Sequence, residues 1–177
     1  LIGTKLSSTQ LNATVAGSST QGSSAPGALT YNPVSGTVMN TNGPNTLTVT
    51  AAATPNYLQG QKQVTLVVDE APSITSANNT TFTVGTSGNF LVTSTGYPAR
   101  TYSETGTLPS GVTFNTATGV LSGNAAALSG GKYNLVLGAA NGISPNASQN
   151  FTLTVNEAPT ITSGSSVTFL EGIDGTT

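Results

Sequence analysis

Along much of this chain, apolar and polar residues alternate one by one. Thr46-Leu47-Thr48-Val49-Thr50, Val64-Thr65-Leu66-Val67-Val68, Thr81-Phe82-Thr83-Val84, Tyr133-Asn134-Leu135-Val136-Leu137 and Phe151-Thr152-Leu153-Thr154-Val155 all carry the pattern. A period of two sends successive side chains to opposite faces, so each segment predicts a strand with one face in a core and the other in water. Between them stand Ser35-Gly36, Asn42-Gly43-Pro44, Thr86-Ser87-Gly88, Thr105-Gly106, Gly130-Gly131 and Asn141-Gly142. These are turn signals at the spacing of an all-β domain. No amphipathic helix is evident, and the polar residues are mostly Ser, Thr, Asn and Gln, which suit strand surfaces and turns better than helices.

An internal repeat organises the strands. Glu70-Ala71-Pro72-Ser73-Ile74-Thr75-Ser76 returns as Glu157-Ala158-Pro159-Thr160-Ile161-Thr162-Ser163, and Phe82 and Phe169 stand 87 positions apart, as do Ile74 and Ile161. The strands before the two junctions, 64–68 and 151–155, match as well. The expected organisation is therefore tandem sandwiches. Residues 1–69 form a sandwich lacking its first strand, 70–156 a complete sandwich, and 157–177 the first strand of a third.

The stretch Leu108 to Asn124, LPSGVTFNTATGVLSGN, has the glycines and hydroxyls of a phosphate-binding loop, but neither a following lysine nor a helix start. Two turns are the expected reading: Pro109 and Gly111 punctuate the first. Val112 and Phe114 then share one face, and Asn115 through Gly119 reverses the chain so that Val120-Leu121 pairs with the strand before it. Leu108-Pro109-Ser110-Gly111-Val112-Thr113-Phe114-Asn115 with Thr118-Gly119-Val120-Leu121-Ser122-Gly123 closely resembles the signature of the immunoglobulin-like, cadherin/dystroglycan-related repeats of bacterial surface and secreted proteins. The resemblance covers residues 70–156 and departs from the family pattern at Asn124-Ala125, where a Thr-Pro is usual. It implies tandem immunoglobulin-like β-sandwiches, and it implies that the Tyr133 phenol bonds to backbone as in the tyrosine corner of related sandwiches. Residues 1–69 resemble a second type of bacterial surface Ig-like repeat through Leu6 to Thr14, Leu29 to Val38 and Pro55-Asn56-Tyr57. Relatives of that type begin with one more strand, ahead of the position of Leu1.

Composition narrows the chemistry. The 177 residues contain no His, Cys or Trp, and only 6% are charged, against about 25% in an average domain. Triads built on His, thiol nucleophiles and Cys or His metal sites are thereby excluded. Only Asp69 and Glu70 bring two carboxylates together in sequence, and they alternate faces if the strand continues through them, so no glycosidase-type pair is expected. A sequence pI near 4.7 and scattered cations argue against nucleic acid. No apolar run of membrane-spanning length occurs.

The expected function is a non-catalytic structural or spacer module of an extracellular, secreted or cell-surface bacterial repeat protein or filament. Its expected partners are neighbouring Ig-like domains of the same chain or other copies of itself. An adhesin module binding carbohydrate or a surface protein is the alternative. No cofactor is expected, although Asp69, Glu70 and Glu157 at the junctions are weak calcium candidates, since calcium wants six to eight oxygens. Tyr97, Arg100 and Tyr102 form a candidate ligand platform. Ile161, Val167 and Phe169 are candidates for an assembly strand that completes the first sandwich of another copy head to tail.

Overall fold

The computed structural model describes residues 1–17, 27–164, 166 and 172. Among the described residues every regular element is a strand. They run β1 Leu29–Asn32, β2 Gly43–Ala51, β3 Gly60–Val68, β4 Glu70–Ile74, β5 Asn79–Thr83, β6 Ser87–Leu91, β7 Ser94–Tyr97, β8 Thr101–Thr105, β9 Val112–Asn115, β10 Val120–Asn124, β11 Gly131–Ala140 and β12 Ala147–Asn156. All five alternating segments fall in strands, except that Val84, the last residue of one, already belongs to the turn after β5. Leu47, Val68, Phe82, Leu135, Leu137, Phe151, Leu153 and Val155 from these segments are buried, whereas Val64, Val67 and Val136 are exposed; a pleated strand sends neighbouring side chains to opposite faces.

From residue 70 onward two sheets face each other. One has the order β5-β12-β11-β8, with β5 parallel to β12 and the other pairs antiparallel. The other has the order β6-β10-β9 and continues through residues 92 and 93 into the β4-β7 ribbon. There the Val92 amide donates to the Gly119 carbonyl, while the Thr93 carbonyl accepts from Thr75 and Ser76. The first segment is thus split, β4 on one sheet and β5 on the other, which gives an immunoglobulin-like sandwich. Its core is Phe82, Val92, Val112, Leu121, Leu135, Leu137, Phe151, Leu153 and Val155, with Ala125 at one end. The Phe90 and Phe151 rings bridge the sheets with centroids 4.9 Å apart and planes tilted by 48°, a favourable aromatic arrangement.

The signature stretch is a pair of turns. Asn115 Oδ1 accepts from the amides of Ala117 and Thr118 at 3.0 and 3.1 Å, and Leu121 lies opposite Phe114. Its glycines have a further purpose. Gly111 and Gly123 both have positive φ, and a methyl group on Gly123 would overlap the Gly111 carbonyl oxygen, while one on Gly111 would overlap that of Asn124. Tyr133 Oη donates to the Ser129 carbonyl at 2.8 Å, the tyrosine-corner bond implied by the resemblance.

One turn is displaced from its expected place. The reversal lies at Val84-Gly85, and Ser87 and Gly88 already belong to β6. Gly88 is a packing glycine, because the Phe82 ring occupies the space where its side chain would stand.

Before residue 70, β1-β2-β3 form one antiparallel sheet. Facing it are residues 3–6, which pair with 37–39 through Lys5 and Val38. Between them lies a second, smaller core of Leu6, Met39, Leu47 and Val68.

Candidate functional site

Two places gather the residues singled out by sequence: the junction between the two cores, and its repeat at the end of β12. At the first, a single residue, Asp69, separates β3 from β4. The Asn42 side-chain amide donates to the Glu70 carboxylate, and Asn141 Nδ2 donates to the Glu70 carbonyl at 2.8 Å and the Pro98 carbonyl at 3.2 Å. The Tyr97 ring stands beside Gly43, close enough to touch any side chain placed there. Asn42 ends the loop leading into β2 and Gly43 begins that strand, whereas Tyr97 and Asn141 end β7 and follow β11. The connection is therefore gripped from both sides.

The second junction uses the same glutamate differently. Glu157 accepts from the Leu128 amide at 2.6 Å and the Gly130 amide at 2.8 Å, one on each carboxylate oxygen. These are charge-assisted bonds, stronger than neutral ones. The register shows that the two devices correspond. Gly43 lies opposite Val68 and Gly131 opposite Val155, so each junction glutamate follows its paired valine by two residues and reaches the loop before the strand that valine pairs with.

The weak calcium candidates stand at two separate junctions, Asp69 and Glu70 at the first and Glu157 at the second. Glu70 lies near the C-terminal end of β11, beside Asn141, while Glu157 lies at its N-terminal end, beside Gly130. A ten-residue strand separates them, about 34 Å at the usual rise. Among the described residues no group of three or more acidic, His or Cys side chains is placed to hold a metal ion.

Tyr97, Arg100 and Tyr102 are close in sequence but diverge in use. Tyr97 ends β7 at the junction. Tyr102, inside β8, packs on the core of the second sandwich and leans over Gly119. Its phenol shares a 3.1 Å hydrogen bond with Ser94 Oγ, and Arg100 Nε donates to the same oxygen at 2.8 Å. Burial pushes the Tyr102 phenol up, but the hydrogen bonds with Ser94 and Arg100 and the Arg100 charge outweigh it and hold the phenol below its usual value. Tyr97 and Tyr102 thus stand in strands with Arg100 in the connection between them, one ring at the junction and the other on the core. Period-two reading missed these strands because Gly96 and Pro98 interrupt the alternation.

Ile161 is 87% exposed and lies outside any strand, and Val167 and Phe169 lie outside the described residues. The first sandwich also has an open cleft of about 490 Å³ over the inward face of its sheet, floored by Leu47, Val49 and Tyr31 and rimmed by Gln10, Asn12 and Lys62. Sequence reading passed over Asn42, Gly43 and Asn141, which it took only as turn residues. The recurring glutamate was the available signal for them.

Residues 64–156 match the family described as Putative Ig domain. No curated protein sequence matches the chain. Among solved structures, a putative alpha-galactosidase from Bacteroides fragilis NCTC 9343 is 24% identical over 52% of this chain and 19% of its own, with a TM-score of 0.44. A putative alpha-galactosidase/melibiase from the same organism is 20% identical over 48% and 17%, with a TM-score of 0.43. Mouse cadherin-23 EC22-24 is 18% identical over 73% and 53%, with a TM-score of 0.41. The chain spans less than a fifth of the length of the two Bacteroides fragilis proteins.

Proposed function

Because the chain belongs to the Putative Ig domain family through residues 64–156, we propose that it is a non-catalytic spacer module of an extracellular bacterial repeat protein, holding successive sandwiches at a set angle. The observation that carries this reading is the double grip on the junction. A spacer needs a connection too short and too well bonded to swivel, and a one-residue link braced by Asn42, Tyr97 and Asn141 meets that need. Loosely tethered domains move independently by default, so these bonds have a mechanical consequence. A wholly β framework without helices long enough to cross a membrane, among the described residues, accords with such a role.

The test is the tumbling of the two halves, read from backbone NMR relaxation. The chain is expected to show one correlation time for residues 1–69 and 70–156. The double variant Glu70→Ala, Tyr97→Ala is expected to show two while keeping both unfolding midpoints. Independent tumbling of the unmodified halves would overturn the reading.

A further inference from the structure

Sixteen asparagines stand in the sequence, and only two of them, Asn42 and Asn141, are followed by glycine. Both side chains are bonded to Glu70. Asn42 donates to its carboxylate, and Asn141 Nδ2 donates to its carbonyl at 2.8 Å and to the Pro98 carbonyl at 3.2 Å. An Asn-Gly step is the place where a chain most readily modifies itself. The glycine has no side chain to shield its backbone nitrogen or to restrict the approach of that nitrogen to the asparagine side chain. The two reactive steps of this chain thus coincide with the two side chains that hold the first residue of β4.

Their surroundings differ. Gly43 is buried, begins β2 opposite Val68 and stands beside the Tyr97 ring, so its backbone is held by the sheet. Gly142 follows β11, is exposed, and has a φ of 83°. Beyond its chain neighbours no atom lies within 4 Å of the place where its side chain would stand. Asn141 is half-buried, and its Oδ1 accepts from the Ile143 amide at 3.1 Å. A donor on that oxygen stabilises the negative charge that gathers there when a nucleophile adds to Cγ. Of the two steps, Asn141-Gly142 is therefore the one free to react.

We propose that Asn141-Gly142 is a self-modification site, and that its deamidation unfastens the start of β4. The Gly142 nitrogen bonds to Asn141 Cγ, the Cγ–Nδ2 bond breaks, and ammonia leaves with the proton of the attacking nitrogen. A cyclic imide remains. Water then adds to either of its carbonyls, giving aspartate, or isoaspartate with one more carbon in the main chain. The net change is amide and water to carboxylate and ammonium, so neither oxidant nor reductant is needed. An amide nitrogen donates, whereas a carboxylate only accepts. The product therefore sets a negative oxygen against the Glu70 and Pro98 carbonyls, which lose their donor, and the hold on β4 is lost with it. Asn42 is the slower second step, and its product sets a carboxylate against that of Glu70, a like-charge contact. The inference goes beyond the spacer reading and does not depend on how the two halves tumble.

The test ages the full chain in warm, mildly alkaline buffer and follows each asparagine by peptide mapping, reading mass and isoaspartate content. Amide loss at Asn141 is expected to be at least about tenfold faster than at the asparagines not followed by glycine, with Asn42 between, because an unshielded nitrogen reaches Cγ most readily. Loss at Asn141 no faster than at those residues overturns the proposal. Gly142→Asn introduces a side chain that tolerates positive φ and meets open space, and it is expected to remove the lead of Asn141. A lead that persists overturns the assigned attack. The acidic fraction of aged chain, isolated by anion exchange, is then compared with fresh chain by amide exchange. In it β4 and β7 are expected to exchange at least about tenfold faster while β12 is unchanged, since local opening raises exchange only where bonds are lost. Equal exchange of β4 and β7 in the two samples overturns the unfastening. Asn141→Asp is expected to match the aged fraction. The aged chain was folded before it was modified, so the comparison holds even where that variant does not fold.

Discussion

At the scale of single residues, the decisive positions are those where a side chain is absent or unpaired. Gly88, Gly111 and Gly123 exist for close approach, and two of them belong to the signature stretch. Glu104 is the opposite case: one carboxylate oxygen is buried without a hydrogen-bond partner, and burial raises its pKa. An acid whose folded pKa is raised binds its proton more tightly when folded, so below the unfolded carboxylate value it carries no penalty. Stability is lost as pH climbs through the window between the unfolded and folded values. Glu104→Gln is therefore expected to raise the unfolding midpoint at pH 7 and to leave it unchanged near pH 3.5. Thermal denaturation at the two pH values checks this, and an equal effect at both would contradict it. The carboxylate was visible in the sequence, but its burial was not, because Tyr102 alone among polar neighbours marks the inward face of β8.

At the scale of elements, strands were legible wherever Val, Leu, Phe or Tyr alternated with Thr or Asn, as in β2, β3, β11 and β12. They were obscure where glycines stood in for side chains, as in β6 and β7. Thr86-Ser87-Gly88 reads as a turn because glycine usually marks one, yet here it makes room for a ring from another strand. The start of β11 shows local and long-range order meeting. Tyr133 ties its strand to the Ser129 carbonyl, and Glu157 ties the same loop from beyond β12. Tyr133→Phe keeps the ring and removes one bond to a buried segment, so a loss of about 1 kcal/mol is expected. Urea unfolding of the second sandwich measures it, and no change in midpoint would show that water replaces the bond.

At the scale of the whole molecule, the question is how one sandwich meets the next. The junction glutamate recurs because each unit needs the same reach back to the loop before a paired strand, although Glu70 meets a side chain and Glu157 meets two amides. Light scattering on the 177-residue chain and on a version ending at Asn156 separates a spacer, expected to be monomeric at both lengths, from head-to-tail assembly. Polymerisation of the longer chain alone would show that the terminal segment finds an acceptor in another copy.

Alternation, turn residues and the recurrence of Glu-Ala-Pro were enough to establish an all-β fold and repeated units, because those properties depend on side-chain period and local backbone freedom. The poverty of charge, His and Cys likewise bounded the chemistry, since a side chain that is absent cannot act. Only the tertiary structure decided that Tyr97 and Tyr102 part company, that Asn42 and Asn141 clasp Glu70, and that the Phe82 ring fills the place beside Gly88. Each of these depends on which distant strands share an edge or a core. That choice is made by packing across the sandwich, which no local pattern encodes.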